Sequence, residues 1–169
     1  PFESAQGSIC VSEAVRSHLA GFLPEKAVVI RNGIPFSLGK WEKRSAKVTK
    51  ILFVGRLTER KGLHVAIEAL SGLREKEWSL EVVGDGPQRE ELEALAVSLG
   101  IKARVHFHGF QDNPEEWMSE SDLLVFPSLD EGMGLVLMQA IKVGLPAIAS
   151  DIDPVRELVG GTASLVKPG

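Results

Sequence analysis

Cysteine is almost absent: Cys10 is the single one in 169 residues. No internal disulfide is possible, which fits a reducing compartment and a cytoplasmic location. With no obvious group to activate it, Cys10 is expected to be a small buried hydrophobe. An excess of positive charge is also lacking. Nineteen Lys and Arg stand against 23 Asp and Glu, a net charge of −4. That balance excludes a broad surface for nucleic acid or anionic lipid, so any anion site must be a local concentration of cations. The most apolar stretch, Met133 to Ala149, is interrupted by Gln139, Lys142 and Pro146, which excludes a membrane span there. Neither a signal peptide, an internal repeat nor a low-complexity tract is present. What remains is 44% hydrophobic and 25% charged, as in ordinary globular domains. The length suits one domain, or one domain plus part of another. The first residue is Pro1, and the chain opens inside an apparent structural unit.

Apolar runs separated by turn signals set the organisation. Gly7 to Val11 reads as a strand, Ser12 as the cap of a helix reaching about Ala20, and Lys26 to Ile30 as a second strand stopped by Asn32-Gly33. Pro35 to Thr49 is polar and reads as linker or exposed loop. From Lys50 a regular alternation begins. Strands are predicted at Ile51–Val54, Ser79–Val83, Arg104–Phe107, Leu123–Phe126, Pro146–Ala149 and Ala163–Val166. Helices are predicted at Gly62–Leu73, from Pro87 to Gly100, near Pro114–Ser119 and at Gly134–Val143, with a short helical turn before the last strand. Continuous apolar strands alternating with helices imply a parallel sheet covered on both faces, a Rossmann-like doubly wound α/β domain. In the usual order, 3-2-1-4-5-6, the first and fourth strands of such a domain are neighbours, and ligands bind beyond their carboxyl ends. The loops after Val54 and after Phe126 are therefore the ones that matter.

The first of these runs from Gly55 to Gly62 and holds Arg56, Arg60 and Lys61. Arg suits bidentate phosphate contacts and Lys a point charge on phosphate oxygens; a merely solvated loop accounts for the same residues equally well. A G-x-G-x-x-G turn is missing here, which excludes a dinucleotide dehydrogenase, and the basic character excludes a phosphoacceptor receiver domain. The second loop, Pro127 to Gly134, places Gly132 and Gly134 before a helix. A helix start offers unpaired N–H groups and partial positive charge to a diphosphate, and glycines allow close approach. Glu131 can accept hydrogen bonds from sugar hydroxyls, or it is an exposed loop acid. Asp85 reads as turn and capping chemistry. His106 and His108 share a strand face, but two histidines without a third ligand make a poor metal site, and no metal is expected.

These segments carry a family resemblance. ILFVGRLTERKGLHVAIEAL, LEVVGDGPQREELEALAVSLGI, RVHFHGF, DLLVFPSLDEGMGLVLMQAI and GLPAIASD together resemble the C-terminal domain of the retaining glycosyltransferases of family 4, also called group 1, which have the GT-B fold. ICVSEAV and VVIRNGI resemble the end of the N-terminal domain and the interdomain hinge. The resemblance implies three parts. Residues 1–35 are the end of the N-terminal domain and hinge, 36–49 a linker, and 50–169 the nucleotide-sugar-binding domain, truncated at its C-terminus. It also implies roles. Arg56 and Lys61 hold the donor diphosphate and stabilise its charge as it leaves. Glu131 is the first acid of an E-x7-E motif and contacts the donor sugar. Gly55, Gly132, Met133, Gly134 and Leu135 meet sugar and phosphates. The second acid of the motif, which contacts the ribose, is here Gln139, a departure that puts the strength of ribose binding in question. Phe110 falls where the family's backbone touches the base, although core packing is the favoured account of its ring. Transfer with retention, a nucleotide-diphosphate sugar as donor, no cofactor, and an acceptor domain absent from this chain are all implied. Any peripheral membrane contact would belong to that absent domain. A non-catalytic nucleotide-binding module and a sugar-nucleotide epimerase of similar fold are the alternatives.

Overall fold

The computed structural model describes residues 6–23, 26–34 and 49–168. The linker expected at 36–49 lies, Thr49 apart, outside the described residues. Strands β1 (Ser8–Cys10) and β2 (Ala27–Val29) pair in parallel and are joined through helix α1 (Glu13–His18). Ser12 caps α1 as expected, accepting from the Val15 N–H, and Cys10 is buried.

The remainder alternates strand and helix: β3 (Lys50–Val54), α2 (Leu63–Ser71), β4 (Ser79–Val83), α3 (Arg89–Ser98), β5 (Val105–Gly109), α4 (Pro114–Ser119), β6 (Leu123–Phe126), α5 (Leu135–Val143), β7 (Ala147–Ser150), α6 (Asp153–Val159) and β8 (Ser164–Val166). The short turn expected before the last strand is thus a helix, with Pro154 in its first turn, where proline's missing N–H costs nothing. The six strands β3 to β8 form one parallel sheet in the order β5-β4-β3-β6-β7-β8, the expected doubly wound arrangement with its switch point between β3 and β6.

Pleating distributes β3 between two cores. Ile51 and Phe53 join Leu80 and Val82 beneath Leu63, Ile67 and Leu92 of α2 and α3. On the other side Leu52 joins Leu124 and Phe126 against Met118, Leu137 and Val155 of α4, α5 and α6. Asp122 anchors the entry to the sheet, its carboxylate accepting from the Thr49 and Lys50 N–H groups at 2.9 and 2.8 Å. Among the described residues, part of one sheet face is left open. Beside α2, the faces of β6, β7 and β8 border an apolar cleft of about 1020 Å³ lined by Val125, Ile148 and Val166 among others. Ile148 and Val166 are exposed there.

Candidate functional site

The basic loop is a built structure, held from beneath. Leu57 is wholly buried; its N–H donates to Asp85 O and its carbonyl accepts from Gln88 N. Beyond it a single 3-10 turn, Glu59–Lys61, brings the chain to α2. Arg56 and Arg60 are exposed and Lys61 is half-buried. Across the switch point, Leu129 N donates to Arg60 O at 2.7 Å. The two loops singled out by sequence are therefore tied backbone to backbone.

Their side chains meet as well. Lys61 Nζ lies 2.5 Å from Glu131 Oε1, and the Glu131 side chain is only 8% exposed. This overturns the account of Glu131 as an exposed loop acid: the tied loops leave its carboxylate little solvent, and Lys61 pairs with it. Arg60 pairs with Asp130 at 3.4 Å, but both side chains are about two-thirds exposed, so that pair contributes little. After Glu131 come Gly132 and the buried Met133. Gly134 then takes a left-handed conformation, φ 76°, to start α5. Leu135 is exposed, and Gln139, one turn later on the same side, is half-buried.

Phe110 is not core. The residue is 75% exposed, because Gly109 turns with φ 71° and sends the chain off the edge strand while Phe107 packs against the core. Asp85 does turn chemistry as expected, accepting from Gly86 N at 2.8 Å and pairing with Arg89 at 3.0 Å. The two histidines part company. His106 is exposed, whereas His108 Nε2 lies 2.6 Å from Glu81 Oε2 and its ring packs on Trp117. Burial raises the Glu81 carboxyl's pKa, but hydrogen bonds with His108 and Ser79 outweigh it and hold the group below its usual value. Among the described residues, no group of three His, Cys, Asp or Glu side chains is placed to hold a metal ion, and no helix is long and apolar enough to cross a membrane.

Two contacts at the site carried no readable sequence signal. Ser12 Oγ donates to Gly132 O at 2.8 Å, and Asn32 N lies 3.2 Å from Met133 Sδ. Both join segments about a hundred residues apart.

Comparison with known proteins agrees with this fold. Residues 39–169 match the family model described as glycosyl transferases group 1. An uncharacterized glycosyltransferase of Methanocaldococcus jannaschii is 33% identical over 177 residues, covering 94% of this chain and 45% of that protein. Lipopolysaccharide glucosyltransferase WaaG of Escherichia coli is 39% identical over 105 residues, 60% of this chain and 28% of WaaG. The crystal structure of Anabaena HepE in complex with UDP-glucose superposes with a TM-score of 0.87 at 28% identity, over 99% of this chain and 51% of that one. The chain spans about half or less of the length of these relatives. Its doubly wound sheet has the Rossmann-like fold found in one half of the GT-B glycosyltransferases, and by both sequence and fold the chain belongs to the group 1 glycosyl transferase family.

Proposed function

We propose that this chain is the donor-binding half of a retaining, metal-independent glycosyltransferase acting on a nucleotide-diphosphate sugar in the cytoplasm. The observation that carries it is the joining, at the switch point, of a basic loop and a glycine-bearing helix start through the Lys61–Glu131 pair. In this reading the diphosphate lies between Arg56, Lys61 and the first amides of α5. It takes Lys61 over from Glu131, and the freed carboxylate accepts from the donor sugar's hydroxyls. As the glycosidic bond to the diphosphate breaks, negative charge grows on the leaving oxygens, and Arg56, Lys61 and the helix start stabilise it electrostatically. Gly55, Gly132, Met133, Gly134 and Leu135 shape the wall of the donor site, Gln139 faces the ribose, and the backbone at Phe110 meets the base. The acceptor, and any contact with a membrane, belong to the absent domain.

Calorimetry with UDP, GDP and ADP, each with and without EDTA, tests this. One of the three should bind, equally well with the chelator present, and the chain alone should transfer no sugar. Strict dependence on a divalent ion, or binding of none, overturns the reading.

Gln139 favours a second reading, a module that binds nucleotide without turnover. A carboxylate accepts from both ribose hydroxyls, whereas Gln offers one carbonyl acceptor and an amide donor. Gln139→Glu should tighten ribonucleotide binding by about 1 kcal/mol, the worth of a hydrogen bond, and leave the 2′,3′-dideoxy nucleotide unaffected. Equal gains for both ligands would remove Gln139 from the ribose.

A further inference from the structure

The loop from Glu131 to Gly134 is gripped from outside the sheet domain. Ser12, at the junction of β1 and α1, is 2% exposed, and its hydroxyl does two jobs. It accepts from Val15 N at 3.1 Å, capping α1, and donates to Gly132 O at 2.8 Å. Beside it the Val11 side chain closes on Gly132, where an added Cβ would lie 3.5 Å from Val11 Cγ2. On the β2 side, Asn32 N approaches the Met133 sulfur at 3.2 Å. The β1–α1–β2 unit is in turn fastened to α6: Glu157 accepts from the Glu13 and Ala14 N–H groups at 3.0 and 3.3 Å and pairs with Arg31.

The bond to Gly132 has a geometric consequence. In a trans peptide the C=O and the following N–H point in opposite directions, and this chain has no cis peptide among the described residues. Holding the Gly132 carbonyl against Ser12 therefore aims the Met133 N–H away from α1. A glycine-bearing loop has many accessible conformations, and a single bond to a buried hydroxyl selects among them.

We infer that Ser12 is a positioning residue for the donor loop: its hydroxyl, held in the β1–α1–β2 unit, fixes the peptide between Gly132 and Met133, so that the seating of that unit sets the loop's affinity for the diphosphate. The inference rests on the donor role proposed above for residues 131–134. It also assigns the β1–α1–β2 unit a part in donor binding that its distance in sequence conceals.

The test separates the two jobs of the hydroxyl. Glycine is nearly as good an N-cap as serine but cannot donate to Gly132; threonine caps and donates. Ser12→Gly and Ser12→Thr are compared with the unaltered chain by amide NMR, titrating UDP with uridine, GDP with guanosine and ADP with adenosine. For the diphosphate that binds, Ser12→Gly should weaken affinity about tenfold, as expected for a lost hydrogen bond, with little change for its nucleoside. Ser12→Thr should restore diphosphate binding. Without any ligand, the amide order parameters of Gly132 and Met133 should fall in Ser12→Gly and return in Ser12→Thr. Unaltered diphosphate affinity in Ser12→Gly, equal losses for diphosphate and nucleoside, or unchanged order parameters overturn the inference. If the unaltered chain binds none of the three diphosphates, the donor reading falls, and the order parameters still decide whether Ser12 orders the loop.

Discussion

Alanine at Gly62 should cost this protein about 3 kcal/mol or more of stability and take nucleotide binding with it. Gly62 stands between the basic loop and α2 in the left-handed region, φ 64°. A side chain there is strained by about 1 kcal/mol whatever its surroundings. Here the surroundings decide the matter, because an added Cβ would lie 2.0 Å from the carbonyl oxygen of Pro127. Backbone cannot yield as a flexible side chain does, so the loops must separate. The Leu129 N–Arg60 O bond and the Lys61–Glu131 pair would be pulled apart together. Thermal unfolding should fall by roughly 10 °C. Gly100→Ala is the control: φ there is 70° with nothing within 4 Å of the added carbon. It carries the conformational strain without the clash, and should cost about 1 kcal/mol. Equal losses in the two variants would show that the approach of the loops is not tight enough to matter.

Removing the cations should separate affinity from stability. Arg56→Ala and Lys61→Ala each delete a charge-assisted contact to the diphosphate worth about 1.5–3 kcal/mol, or roughly 10- to 150-fold in affinity for the nucleoside diphosphate that binds. Arg56 is exposed, so its loss should leave unfolding unchanged. Lys61 differs, because its removal strands Glu131 with its side chain 8% exposed, at a further cost of about 1–3 kcal/mol of stability. Lys61→Ala combined with Glu131→Gln should recover most of that stability and none of the affinity. Arg60→Ala should do least, since its partner Asp130 shares its exposure. Calorimetry and chemical denaturation on the four variants check this. Similar losses of affinity at Arg56, Arg60 and Lys61 would mean that the loop acts through diffuse charge alone.

Much of this arrangement was legible in the sequence. Compact apolar runs such as Ile51–Val54 and Leu123–Phe126, alternating with helical periodicity, constrain the sheet to be parallel, and the handedness of crossovers then brings β3 beside β6. Placing the two loops at that junction needs nothing more. Pairings between the loops were not legible. Lys61 and Glu131 each have a local rationale as ligand contacts, and only the register created by the Leu129–Arg60 backbone bond makes them partners before any ligand arrives. Phe110 was misplaced because an aromatic after a strand suits a core, while the left-handed turn at Gly109 is invisible without coordinates. Ser12 is the instructive case. A serine before a helix is fully explained by its cap, and nothing local signals that the same hydroxyl has a second partner 120 residues away.

The uncovered face of β6, β7 and β8 bears on how these variants are best measured. Dyes that brighten on apolar surfaces are a common reporter of melting, because most folded proteins offer them little to bind. This chain, with Ile148 and Val166 exposed beside a cleft of about 1020 Å³, offers such a dye a berth while still native. Fluorescence then starts high and changes little as the chain melts, and a variant that alters the cleft shifts the signal without shifting the transition. Far-ultraviolet circular dichroism follows the helices and sheets directly, and it is the observable in which the melting of Gly62→Ala and Gly100→Ala can be compared.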